Sequence, residues 1–131
     1  MSDFKPIDIK IELIGKQVVD AAIVVHKEMG PGLLESVYEE CLEYELSKRG
    51  LKVERQLEVP LVYQGKNLDS KLRLDLLIEN EVIVELKSVD QILDIHKAQV
   101  LTYLKLMNKR LAFLINFNVP LLKNGLKRFV L

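Results

Sequence analysis

The sequence predicts an α/β fold with its elements in the order α-α-β-β-β-α-β-β, and three observations carry that prediction. Apolar residues recur every three or four positions through the first part of the chain, the period of an amphipathic helix. From Lys52 the apolar period falls to two, the period of a half-buried strand. Residues 111–117, LAFLINF, form an unbroken apolar run of strand length, as in a strand buried on both faces, and a helix-period segment precedes it.

Helix 1 follows from Ile7, Ile11, Ile14, Val18, Ala22, Val25 and Met29, and Gly30-Pro31-Gly32 ends it, because proline cannot continue the hydrogen-bond ladder. Helix 2 is expected over residues 33–49, closed by Gly50. Glu35 falls on its inward strip with Tyr38, Leu42 and Leu46, whereas Glu39 and Glu43 are assigned to the solvent face. In the first strand Val53, Leu57, Val59, Leu61 and Tyr63 share one face, with Glu54, Gln56 and Glu58 on the other. Pro60 marks this strand as an edge or a bulge. Gln64-Gly65-Lys66-Asn67 signals a turn, followed by strands at 71–78 and 82–87. A helix is expected over 95–107 with Asp94 as its N-cap, then the 111–117 strand, a turn at Lys123-Asn124-Gly125, and a last strand over 127–131.

A chain of 131 residues, 49% hydrophobic and without low-complexity tracts, is long enough for one domain, 1–131, with a real core. MSDFKPIDIK lacks an apolar signal core, no apolar run approaches membrane-spanning length, and Cys41 has no disulfide partner. A reduced cytoplasmic setting and no membrane partner are therefore expected. Net charge is zero, but residues 1–65 carry 8 Lys/Arg against 12 Asp/Glu, and residues 66–131 carry 11 against 7. A polyanion would meet a local basic surface, with Lys105, Lys109, Arg110, Lys123, Lys127 and Arg128 as candidates; scattered solubilising charge is the other reading.

The stretch at 73–87, RLDLLIENEVIVELK, places Arg73, Asp75, Glu85 and Lys87 within two apolar strands. If the rows Leu72, Leu74, Leu76, Ile78 and Val82, Val84, Leu86 face the same core, the connecting loop has odd length. That register pairs Ile78 with Val82 and sets Asp75 opposite Glu85. Facing carboxylates about 5 Å apart at Cβ repel unless something positive lies between them. One solution is a surface ladder in which Arg73 and Lys87 pair with Asp75 and Glu85. The other is a divalent cation held by Asp75, Glu85 and the Leu86 backbone carbonyl, an all-oxygen set suited to Mg²⁺. Lys87 beside it would orient a water or neutralise charge on a phosphoryl group.

Glu35 adds an inward carboxylate, although a glutamate in a first helical turn is also favourable for the helix dipole. His96, Gln99 and Tyr103, spaced i, i+3 and i+7, line one helix face, and each taken singly reads as a satisfied buried polar group before it reads as a ligand. His26 reads as structural and Cys41 as a core thiol.

Gly32-Leu33-Leu34-Glu35-Ser36-Val37-Tyr38 resembles the GxxExxY signature of a family of small prokaryotic proteins assigned to the PD-(D/E)XK nuclease superfamily. Asp75 with Glu85-Leu86-Lys87 is similar to that superfamily's D…ExK core, with Leu74-Asp75 in place of proline-aspartate, and Gln99-Val-Leu-Thr-Tyr103 is similar to the QxxxY element of its RecB-like members. The resemblance spans residues 15–130. It implies a restriction-endonuclease-like core, a mixed sheet with helices on both faces. It further implies Mg²⁺ or Mn²⁺ held by Glu35, Asp75, Glu85 and the Leu86 carbonyl, Lys87 as the catalytic lysine, and Gln99 and Tyr103 positioning phosphate or active-site groups. The function expected is a metal-dependent nuclease acting on nucleic acid, with DNA favoured. The alternative is a non-catalytic nuclease-fold module binding nucleic acid or a partner protein. A chain this small has few loops to grip a duplex, which leaves room for a homodimer or a partner subunit.

Overall fold

Asp8 opens α1 (Ile9–Met29) by accepting the Lys10 N–H at 2.8 Å. The computed structural model describes residues 5–131; residues 1–4, the start of the segment read above as lacking a signal core, lie outside them. After the Gly30-Pro31-Gly32 break come α2 (Glu35–Lys48), β1 (Val53–Tyr63), β2 (Lys66–Ile78), β3 (Val82–Lys87), α3 (Asp94–Met107), β4 (Leu111–Asn116), a short 3-10 turn at Leu122–Asn124, and β5 (Leu126–Val130). No described helix is long and apolar enough to cross a membrane.

The strands form one sheet in the order β1-β2-β3-β4-β5. β3 and β4 run parallel because α3 carries the chain between them, and every other pair is antiparallel. This mixed sheet, with helices on both faces, is the restriction-endonuclease-like architecture that the resemblance implied, in the element order that the periodicity predicted. On one face Val18, Ala22, Tyr38, Leu42 and Leu46 of α1 and α2 pack on Val82, Val84, Leu86, Leu111, Phe113 and Ile115. On the other, Val100 and Leu104 of α3 pack on Ile83, Ala112 and Leu114. The buried alternation along β4, with a different layer above each face, explains why its sequence is unbroken apolar.

Several boundaries shift. β2 begins at Lys66, five residues before the expected start, because its hairpin with β1 continues to Tyr63–Lys66, with a register irregularity at Pro60/Val62 where the edge-strand proline sits. Asp94 is the first residue of α3 and Leu93 the cap, whose N–H is satisfied by His96 Nδ1 at 3.0 Å. The expected pairing of Ile78 with Val82 holds, followed by Leu77–Ile83 and Leu76–Val84.

The faces assigned to β1 and β2 need correction. Val53 packs with the α1/α2 layer, but Leu57, Val59 and Leu61 pack with the α3 layer. Likewise Leu76 and Ile78 face α1/α2 while Leu72 and Leu74 face α3. Both strands change face at one level, between the pairs Arg55–Leu76 and Leu57–Leu74. In β1 the change falls at Gln56, whose φ of 51° is left-handed and interrupts the extended alternation, and β2 changes with it because residues paired across the two strands share a face.

Candidate active site

The change of face coincides with a fork in the sheet. Below Leu76–Val84 the backbone ladder between β2 and β3 stops, and side chains replace it. The Asp75 N–H donates to Glu85 Oε2 at 2.7 Å, and the Leu86 N–H donates to Asp75 Oδ2 at 2.8 Å. Each carboxylate thus takes the place of its own strand's backbone carbonyl as acceptor for an N–H of the opposite strand. One oxygen of each is spent this way, while Asp75 Oδ1 receives only the distant Gln56 amide (3.4 Å), and Glu85 Oε1 has no hydrogen bond among the described residues. Since N–H and C=O of one residue point to the same edge of a strand, the Leu86 carbonyl also faces the fork.

Burial above all, then the Asp75 charge, pushes the Glu85 carboxyl up to about 8, with the Asp75 N–H and the Lys87 ammonium opposing. Asp75 is raised chiefly by burial too, with the Leu86 N–H lowering it and the Glu39 charge adding to the rise. The pair is a concentration of suppressed negative charge, which a cation would relieve. Lys87 follows on β3, half-buried, and forms none of the ion pairs found among the described residues. Arg73 pairs with Glu58 at 2.9 Å and not with Asp75, so the expected alternative of a surface charge ladder across these four residues is not what forms.

Glu35 stands at the first position of α2, exposed rather than inward. Burial and then the Asp75 charge still raise its carboxyl, while Lys87 lowers it, so it borders the fork. Its placement depends on a clamped loop. Tyr38 Oη donates to the Gly30 carbonyl (2.5 Å) and accepts the Leu33 N–H (3.1 Å), its ring stacks on Phe117 at 4.5 Å, and Ser88 Oγ donates to the Leu33 carbonyl at 2.6 Å. Gly32, at φ 93° with open space around it, is required by the backbone and not by crowding. The glycine and tyrosine of the GxxExxY stretch therefore shape the loop that presents Glu35.

From the opposite layer, α3 brings Tyr103, whose phenol is pushed up first by burial and then by the Glu85 and Asp75 charges. Gln99 lies one helical turn earlier, exposed and without a hydrogen bond among the described residues. His96 caps α3, and His26 Nε2 lies 2.7 Å from the Val119 carbonyl, so both histidines serve the fold. Cys41 packs at the core edge with its thiol raised by burial and neighbouring carboxylates. Of the basic candidates, Lys105, Lys109 and Arg110 sit at the end of α3 and the start of β4, the sheet end opposite Lys87, and Arg128 is paired with Glu12. They do not line the fork.

Glu39 is the main correction. Instead of facing solvent it is 6% exposed, accepting Arg55 Nε at 2.8 Å and Gln56 Nε2 at 2.5 Å. Its spacing of four from Glu35 was the signal that could have placed it on the same face. Asn116, also unanticipated, holds the loop after Lys87 by bonding both the N–H (3.1 Å) and the carbonyl (3.0 Å) of Val89.

No three His, Cys, Asp or Glu side chains among the described residues converge into a closed metal site. What the fork offers is a buried carboxylate, Glu85, and a half-buried one, Asp75, with an oxygen to spare each, beside a backbone carbonyl. That hard, all-oxygen donor set fits a Mg²⁺-like ion that keeps several waters.

A family model described as the PD-(D/E)XK nuclease superfamily matches residues 12–129. No curated protein and no solved structure matches the chain.

Proposed function

Because the chain belongs to the PD-(D/E)XK nuclease superfamily, we propose that it is a metal-dependent nuclease of the GxxExxY type that hydrolyses phosphodiester bonds in nucleic acid, with DNA favoured, and that residues 1–131 act as one domain. The observation that carries this reading is the fork, where Asp75 and Glu85 each hold the other strand's backbone and keep one oxygen available. In the proposal Asp75, Glu85 and the Leu86 carbonyl hold Mg²⁺ or Mn²⁺, with Glu35 contributing through water. The bound cation would supply Lewis-acid stabilisation of phosphoryl charge and acidify water. Lys87, in no ion pair among the described residues, would neutralise charge growing on the phosphate, worth roughly a hundredfold in rate for one such group. Tyr103, kept protonated by burial and the nearby carboxylates, would donate a hydrogen bond towards phosphate, with Gln99 beside it. A homodimer or a partner subunit would widen the grip on a duplex.

A nuclease-fold module that binds without cutting is the second reading, favoured by the exposed position of Glu35 and the absence of a third converging ligand among the described residues. Cleavage of linear, circular and single-stranded DNA, and of RNA, with Mg²⁺ or Mn²⁺ separates the two. The nuclease reading expects metal-dependent cutting, abolished in Glu85→Ala and reduced about a hundredfold or more in Lys87→Met with metal affinity retained. A wild-type protein that cuts nothing, or a Lys87→Met protein that cuts at the wild-type rate, would refute the mechanism.

A further inference from the structure

We infer that Gln56 is a positioning residue for Asp75, anchored through Glu39 and Arg55; the inference rests on the metal-site reading above. Gln56 occupies a left-handed backbone conformation (φ 51°) in the middle of β1, where glycine would serve the backbone without steric cost. The backbone alone gives no reason for a glutamine there, and the side chain supplies one. Its Nε2 carries two hydrogens, and two carboxylate oxygens face it, Glu39 Oε1 at 2.5 Å and Asp75 Oδ1 at 3.4 Å. Facing two acceptors fixes the amide orientation, because its oxygen would be repelled by both. Glu39 is itself immobilised: buried, with Arg55 Nε on its other oxygen at 2.8 Å.

The backbone and side chain act together. Only because Gln56 breaks the alternation do Arg55 and Gln56, consecutive residues, both reach Glu39 on α2. The opposite oxygen of Asp75 is held by the Leu86 N–H at 2.8 Å. Asp75 is thus held by β3 through one oxygen, while the Arg55–Glu39–Gln56 chain sets an amide N–H 3.4 Å from the other, near enough to orient the carboxylate and leaving a lone pair of that oxygen for an ion. Outer partners of this kind orient a ligating carboxylate before the ion arrives.

The test is Mn²⁺ affinity of the full chain, measured by electron paramagnetic resonance titration at a temperature where circular dichroism shows each variant folded. Gln56→Gly relieves the backbone and removes the amide; Gln56→Met keeps the side-chain length and the strained backbone but removes the donor. Both are expected to bind Mn²⁺ about 10- to 100-fold more weakly than wild type. If either variant retains wild-type affinity while the wild type binds, the inference is overturned alone, and a tight-binding Gln56→Gly would assign Gln56 a purely backbone role. A wild type that binds no Mn²⁺ overturns the metal reading and this inference with it.

Discussion

Replacing Glu85 by glutamine should stabilise the metal-free protein at high pH, by an amount set by one carboxyl. Burial and the Asp75 charge hold that carboxyl at about 8, against an ordinary value of 4.5. Between those values the folded state binds more protons than the unfolded one. The contribution is therefore intact below pH 4.5, is lost progressively as pH rises, and levels off once pH exceeds about 8. At about 1.4 kcal/mol per pKa unit the loss has an upper limit of about 4–5 kcal/mol, reduced in practice because a buried charge draws in water and relaxes its surroundings. In Glu85→Gln the amide oxygen would still accept the Asp75 N–H, and the amide N–H would stand in for the O–H of the protonated acid. Urea unfolding in chelator at pH 4, 6, 8 and 9 should show similar stabilities at pH 4 and an advantage of roughly 2–4 kcal/mol for Glu85→Gln at pH 9. Two proteins that lose stability in parallel across that range would refute the assignment of the strained charge to Glu85.

The same proton makes cation binding pH-dependent: Mn²⁺ affinity should rise roughly tenfold per pH unit up to about pH 8 and then level off. Calorimetry in buffers of different protonation enthalpy should record about one proton released at pH 7, and none would contradict it. Tyr38→Phe removes the hydroxyl that bonds both Gly30 and Leu33, at an expected cost of about 1–3 kcal/mol in urea unfolding; an unchanged midpoint would show that the loop holds itself. A Cβ on Gly125 would collide with the Asn116 carbonyl oxygen, so Gly125→Ala should lose roughly 3 kcal/mol or more, and wild-type stability would mean that β5 moves aside freely.

Much of the fold was legible because local signals agreed with the final packing. β3 runs over the predicted residues 82–87, and the odd-length loop argument paired Ile78 with Val82. The D…ExK residues were found as an electrostatic conflict, and the structure brings Asp75 and Glu85 together at the fork. What stayed hidden depended on one backbone angle. Alternation assumes an extended φ at every strand residue, and glutamine, unlike glycine or asparagine, carries no composition signal for a left-handed conformation. The faces of Leu57, Val59, Leu72 and Leu74, and the partnership of Arg55 and Gln56 with Glu39, were lost with it. The GxxExxY residues were recognised by resemblance, but the role of Tyr38 as a loop clamp needed its long-range stack on Phe117.

Opening the sheet at Leu76 has a consequence for solubility. From Lys66 to Leu74, β2 has no paired strand on the β3 side among the described residues, so its backbone donors and acceptors form an adhesive edge that could template another chain. Lys66, Asp69, Lys71 and Arg73 lie exposed along this run, and lysine-rich stretches are how edge strands discourage edge-to-edge zipping. An extended chain added in antiparallel register would meet Lys71 and Arg73, two cations that share the single carboxylate of Glu58, and a second copy of the same edge brings no counter-charge beyond Asp69. The opening that frees two carboxylates thus carries an aggregation hazard, and its guard is written into the same strand.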